Sequence, residues 1–208
     1  MACEMPRRTQ VALRLSQALL EEGPWPRKLE RFLSVLLGIP WLPLKPTGAI
    51  FLKRGESLHL VAERNLDGPL KSLCAQVPLG RCLCGRVGLT GVALHAAEVG
   101  EEHETRYEGM PPHGHALYPL KVGERVLGVL NLYLEPGARL SSEARATLEM
   151  AAGLLALAVL RERAERAARV LHRATLLSLE AADEAAYLKG LCALVVEEGY
   201  ALAWVGEA

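Results

Sequence analysis

Two cysteines two positions apart, Cys82 and Cys84, and two histidines with the same spacing, His113 and His115, are the side chains here best suited to chemistry. His103 precedes the histidine pair, with Glu102 and Glu104 beside it. Thiolate and imidazole are ligands for zinc, iron or copper, so one reading is a zinc or iron site of Cys82, Cys84, His113 and His115. Geometry limits that reading. Residues two apart in a helix point about 200° away from each other around the axis. Cys82 and Cys84 can therefore share a metal only where the backbone is not helical. In extended chain they face one side, as do His113 and His115. A disulfide between Cys82 and Cys84 would close a tight, strained and reactive ring, which opens a second reading, redox sensing without a metal. In a third, one cysteine packs in the core as a small apolar group and the other lines a pocket.

Composition narrows the setting. The 208 residues carry 24 Lys plus Arg and 24 Asp plus Glu, a net charge of zero. Such a chain has no bulk field to concentrate nucleic acid or anionic lipid. Half the residues are apolar, enough for a real core. The longest uncharged apolar run, Met150 to Leu160, is closed by Glu149 and Arg161, well short of the ~20 residues a membrane helix needs. Residues 1–8 lack the apolar core of a secretory signal. Five cysteines, an odd number, point to reduced thiols and a cytoplasmic location. Gly109 and Gly114 make no phosphate loop, and Trp25, Trp41 and Trp204 are too scattered for a base-stacking platform.

The elements that must position these residues follow from periodicity. Residues 9–22 and 27–38 carry helical spacing, with Val11, Leu15, Ala18 and Leu19 on one face and Leu29, Phe32, Leu33 and Leu36 on another. Pro40, Pro43 and Pro46 forbid helix, and residues 48–53 and 58–63 read as a hairpin about Gly55-Glu56. A short helix near Leu70, a loop at 78–80, a helix over 82–89 ending at Gly91, and a weak strand at 92–96 come next. Residues 98–114 are irregular, broken by glycines and prolines. Strands at 116–122 and 126–134 precede a long helix from 141, capped by Ser141 or Ser142. That order gives an α+β fold, an antiparallel sheet with helices packed on one face.

In the long helix Leu160, Ala164, Ala167, Leu171 and Ala174 alternate steps of four and three, the spacing of a coiled-coil seam, so the helix is expected to pair two chains as a homodimer. A helix over 183–198 and a strand over 199–206 loosely repeat residues 27–53 and read as the start of a second domain. The expected division is an N-terminal helix at 1–26, a main domain at 27–140, an exit helix at 141–175, and the opening of a second domain at 176–208.

Particular residues sharpen this. Pro78-Leu-Gly-Arg-Cys-Leu-Cys-Gly-Arg-Val87 with Thr90-Gly91 resembles the glycine-bearing helix start of GAF domains. Residues 118–132, from Tyr118-Pro-Leu-Lys to Val129-Leu-Asn-Leu132, resemble their last two strands, and Leu140-Ser-Ser-Glu143 their run into the final helix. The likeness spans about residues 27–165, and 200–206 resembles the first strand of another such domain. Cys82-Leu-Cys84 with Gly109-Met-Pro-Pro-His-Gly-His115 resembles a subgroup from bacterial signalling proteins.

The resemblance implies a sensory module that holds a small ligand between sheet and covering loops. It also implies signalling through helices to an output module, such as a histidine kinase, a diguanylate cyclase or a phosphodiesterase. The implied pocket takes Cys82, Cys84, His103, Tyr107, His113, His115 and Tyr118, with ordinary cysteines as the leading reading. Leu83-Cys84-Gly85 also resembles free methionine sulfoxide reductases, GAF-fold enzymes with a cysteine nucleophile in the loop before the last two strands. Here that loop, Pro112-His-Gly-His-Ala-Leu-Tyr118, has no cysteine, and the sulfoxide chemistry lacks its first step.

Overall fold

The protein is described by a computed structural model covering residues 5–198 together with 200, 203, 204 and 206. It divides into two compact units, one through Ala158 and one from Val159 onward.

The first unit opens with α1 (Arg7–Leu20), which buries Val11, Leu15 and Ala18, and α2 (Trp25–Leu37), which buries Leu29, Phe32, Leu33 and Leu36. Pro24 and Pro26 frame the start of α2 and Gly38 ends it, as expected of residues that cannot continue a helix inward. A hairpin follows, β1 (Leu44–Arg54) and β2 (Ser57–Arg64). β1 starts earlier than the prolines predict. Pro46 sits where the pairing register shifts between Leu44 and Gly48, so its missing N–H interrupts no regular ladder.

Next come α3 (Gly68–Leu73), β3 (Gln76–Pro78), α4 (Cys82–Thr90) and β4 (Leu94–Ala96). The three-residue β3 meets the loop expected at 78–80 only at Pro78; it is too short to show an alternating pattern and pairs with β2. After residues 97–113, which form no helix or strand, β5 (Gly114–Val122) and β6 (Arg125–Leu134) complete the sheet. The long helix α5 (Ser142–Glu180) is capped by Ser141, whose Oγ accepts from the Ala144 N–H at 3.1 Å. Among the described residues no helix is long and apolar enough to cross a membrane.

The strands lie in the order β3-β2-β1-β6-β5-β4, every pair antiparallel. Directly paired residues share a face, so the registers sort the side chains. Gly48, Ile50, Leu130, Leu132 and Tyr118 face α2 and the start of α5: Leu33 of α2 lies against Gly48, and Arg145 and Glu149 of α5 act on the Tyr118 hydroxyl. Ala49, Phe51, Val129, Asn131, Tyr133, Leu117 and His115 point the other way, where α4 covers an apolar cluster. The main helices thus take one face as expected, and α4 with residues 97–113 takes the other. β6 is accordingly buried without a break from Leu127 to Leu134.

Two glycines permit this closeness. A β-carbon at Gly85 would overlap the Pro78 carbonyl oxygen, so α4 reaches the end of β3 only with glycine there. A β-carbon at Gly128 would overlap the Phe51 carbonyl oxygen across the β1–β6 pairing.

In the second unit α6 (Glu184–Glu197), capped by Asp183 accepting from the Ala186 N–H at 2.8 Å, runs back along α5. Leu177 faces Gly190, Arg173 pairs with Glu197 at 2.8 Å and Glu198 at 3.4 Å, and Ala174 and Leu194 are buried. Of the seam positions, Leu160 is half-buried, while Ala164, Ala167 and Leu171 are exposed, Leu171 at 70%. The strand expected over 199–206 falls largely outside the described residues.

Gly128→Ala should destabilise the protein by about 1–3 kcal/mol, because β1 and β6 must part to admit the methyl group. Urea unfolding of the two proteins measures it; equal midpoints would refute the tight β1–β6 approach.

Candidate functional site

Three histidines meet on the α4 side of the sheet. His115 lies on β5, His113 just before it, and His103 in the long connection between β4 and β5. They are 1%, 3% and 5% exposed, which makes them core residues rather than a solvated loop cluster. The rings of His103 and His115 stack with centroids 4.9 Å apart, and His113 meets His115 edge-on at 4.7 Å. Tyr133, directly opposite His115 in the β5–β6 register, packs against His113 at 4.7 Å and His115 at 4.6 Å.

The outer nitrogens are fixed by acceptors. His113 Nδ1 is 2.7 Å from the Pro111 carbonyl oxygen, and His115 Nδ1 is 2.9 Å from Asn131 Oδ1. An oxygen acceptor requires a donor, so each Nδ1 carries the proton and each Nε2 is left with a lone pair. The Nε2 atoms of His113 and His115 and the Nδ1 of His103 are buried without a hydrogen-bond partner. Each such orphan costs the fold about 1–3 kcal/mol.

Burial, the largest cause in each case, lowers all three imidazole pKa values and keeps the rings neutral. For His115 the value falls to about 3, helped by the neighbouring His103 and His113 and opposed by the bond to Asn131.

The connection carrying His103 is braced from several sides. Glu104 accepts from the Cys82 backbone N–H at 3.1 Å and from Arg81 Nε at 2.7 Å, tying it to the start of α4. The bond from Cys82 is the main cause holding the Glu104 carboxyl below its usual range. Arg106 donates back to the carbonyl oxygens of His103 and Gly100, the former at 3.0 Å. Tyr107 donates to Asp67, and Lys45 reaches the Pro112 carbonyl at 3.1 Å. A cleft of about 410 Å³, lined by Glu98, Arg106, Met110 and His113 among others, opens on this loop, and His113 is the member of the cluster that borders it.

The two cysteines lie on the same face of the sheet but outside the histidine cluster. Cys82 and Cys84 are buried in the apolar cluster with Phe51, Leu58, Leu83 and Val129. Cys82 has φ of 53°, a left-handed conformation, so the backbone there is not the regular helix that would point the thiols apart. The side chains whose ligand atoms come together among the described residues, within 4.8 Å of one another, are nevertheless His103, His113 and His115, without either thiol. Burial pushes the Cys74 thiol up to about 11 and the Cys84 thiol well above its ordinary value, and protonated thiols are poor nucleophiles.

Tyr107 stands at the rim, against the cluster of Leu66, Leu70 and Tyr133. Tyr118, expected in the pocket, is on the opposite face, with its hydroxyl 2.8 Å from His95 Nε2, because residues an odd number apart in a strand face opposite sides. Tyr133 is the pocket residue missed; Asn131, which the sequence sets opposite Leu130 and Leu132 without deciding between the covering layer and solvent, faces the covering layer and bonds His115. The alternation of Val129, Asn131 and Tyr133 along β6 was the available signal; which face it served depended on pairing with β5.

The depressed histidine pKa values set a sign. Protons bind the unfolded chain first, so this stabilisation is complete above the free-histidine value of 6.5 and is lost as pH falls toward 3. In metal-free protein, denaturant stability should fall between about pH 6.5 and about pH 5 by roughly 1.4 kcal/mol per pH unit for each ring kept neutral. His115→Gln should flatten the slope; a flat wild-type profile would show that the rings protonate in place.

Comparison with known proteins places the chain. A family model for the GAF domain matches residues 43–159, and no curated protein matches the sequence. Among solved structures, it is similar to the GAF domain of a phosphoenolpyruvate-protein phosphotransferase from Coxiella burnetii, at 19% identity and a TM-score of 0.66, covering 77% of this chain and 96% of that one. The corresponding Acinetobacter domain matches at 16% identity and a TM-score of 0.62, covering 77% and 97%. A free methionine-R-sulfoxide reductase from Neisseria meningitidis, in complex with its substrate, matches at 18% identity and a TM-score of 0.61, covering 78% and 96%. At these identities the structures show a shared fold. With the family model spanning more than half of its length, the chain belongs to the GAF domain family.

Proposed function

We propose that this chain is a non-catalytic sensory module whose input is the histidine pocket and whose output is α5. The observation that carries this reading is the two-faced strand β5. His115 projects from it into the pocket, and three residues later Tyr118 projects from its other face toward Arg145 and Glu149 of α5. A ligand that repositions His115 moves the strand on which α5 rests. Ligand preference for one of two arrangements then shifts the population that α5 reports.

The GAF fold fits such a role, and a downstream signalling domain in the cytoplasm is the partner we assign. The seam of Leu160, Ala164, Ala167, Leu171 and Ala174 supports pairing of two copies through Ala164, Ala167 and Leu171, the three of its five positions that are exposed. Sulfoxide reductase chemistry is the weaker reading despite the shared fold. The loop before the last strands has no cysteine, and Cys74 and Cys84 are held as thiols.

Hydrogen exchange tests the coupling. A ligand that protects residues 97–115 should also change exchange in 142–158, and Tyr118→Ala should abolish the second effect while leaving the first. Protection confined to 97–115 in the wild-type protein would overturn the sensory reading. Light scattering should give twice the 22.6 kDa chain mass, reduced to the monomer by Leu171→Glu. A monomeric wild type would remove the dimer from the proposal.

A further inference from the structure

We infer that His103, His113 and His115 form a binding site for a borderline divalent transition metal, zinc being the best match, with a fourth position left to an exchangeable ligand from the cleft. This names the ligand class of the pocket assigned above and rests on that assignment. It also moves the metal from the expected cysteine–histidine set to histidines alone.

One ring nitrogen from each histidine lies within 4.8 Å of the other two. Tetrahedral zinc with nitrogen ligands at about 2.0–2.1 Å needs such atoms about 3.4 Å apart, so each nitrogen must move inward by under about 1 Å, and the stacked rings of His103 and His115 must turn until both ring planes meet the ion. The nitrogens with nothing else to bind are His103 Nδ1, His113 Nε2 and His115 Nε2. Two of them have the tautomer a metal requires, because Nδ1 of His113 and of His115 is committed to an oxygen acceptor. A carbonyl or amide oxygen behind the ring is the usual outer support of a metal-bound histidine.

Ligand chemistry selects the ion. Three imidazoles without a carboxylate do not suit magnesium or calcium, which take oxygen ligands, whereas nitrogen donors suit zinc and its first-row neighbours. Three protein ligands leave tetrahedral zinc one open position. His113 lines the cleft beside the cluster, which provides the route for the metal and for that fourth ligand. Lys45 and Arg106 add positive charge near the rings and Asp67 negative charge, so an anionic fourth ligand would meet two cations.

The test uses the full chain without a histidine tag, stripped by chelator and titrated with zinc and, as a spectroscopic probe, with cobalt(II). One equivalent of zinc per chain and the intense visible bands of four-coordinate cobalt are expected. His103→Gln, in a loop outside the sheet, should weaken binding by more than about tenfold, and Asn131→Leu by about 10–100-fold through the lost support of His115. Cys82→Ser and Cys84→Ser should leave affinity unchanged. Circular dichroism confirms that each variant is folded, and His103→Gln decides the matter if His115 variants do not fold.

Substoichiometric binding, or binding indifferent to His103→Gln, would overturn the inference. The α5 exchange readout is separate: zinc bound at the histidines without an α5 response would leave this site standing and refute the sensory role. An α5 response to another ligand without metal binding would do the reverse.

Discussion

Antiparallel pairing of β5 with β6 is the constraint on which the pocket depends, because it sets His115 opposite Tyr133 and one step diagonal to Asn131. A slip of one residue would turn β5's pocket side chains toward α5 and leave the pocket with neither its central ring nor its hydrogen-bonded support. The register is held by burial on both faces, with Leu130 and Leu132 on one side and Val129, Asn131 and Tyr133 on the other. Gly128 contributes by letting β1 close against β6, which widens the buried sheet.

Against this rigid wall the chain places three neutral imidazoles with their lone-pair nitrogens unpartnered. A fold that only needed volume there would be more stable with apolar residues, because those orphaned atoms lose water and gain nothing in return. The loop bearing His103 is tied to α4 through Glu104 and to the Asp67 region through Tyr107. Those ties hold the third ring over the other two. The thiols are treated differently: they lie within the apolar packing, where burial keeps Cys74 and Cys84 protonated.

β5 separates this pocket from the helix layer, and a single strand therefore touches both. Its pocket face carries His115 and Leu117, and its helix face carries Ala116 and Tyr118. In the second unit α5 forms a hairpin with α6 that buries Ala174 and Leu194 and leaves Ala164, Ala167 and Leu171 exposed. Exposed pairs such as Arg173 with Glu197 contribute little to such a hairpin, so its apolar line has to hold it.

The sequence by itself determined the helices, the hairpin, the last two strands and the breaker-rich stretch between them. Each of these is written in local periodicity or in proline and glycine, whose backbone limits act wherever they occur. It also singled out the three histidines, and the family resemblance grouped them in one pocket together with the cysteines and Tyr118. The tertiary structure alone decided that the thiols stay out of the cluster of His103, His113 and His115, that Asn131 and Tyr133 enter the pocket, and that Tyr118 leaves it. It also made a strand of residues 76–78. Those outcomes depend on strand register and on a loop closed by distant partners such as Glu104 with Cys82 and Tyr107 with Asp67. Contacts across such separations leave no period in the chain, because they are selected by the packing of surfaces that exist only once the sheet has formed.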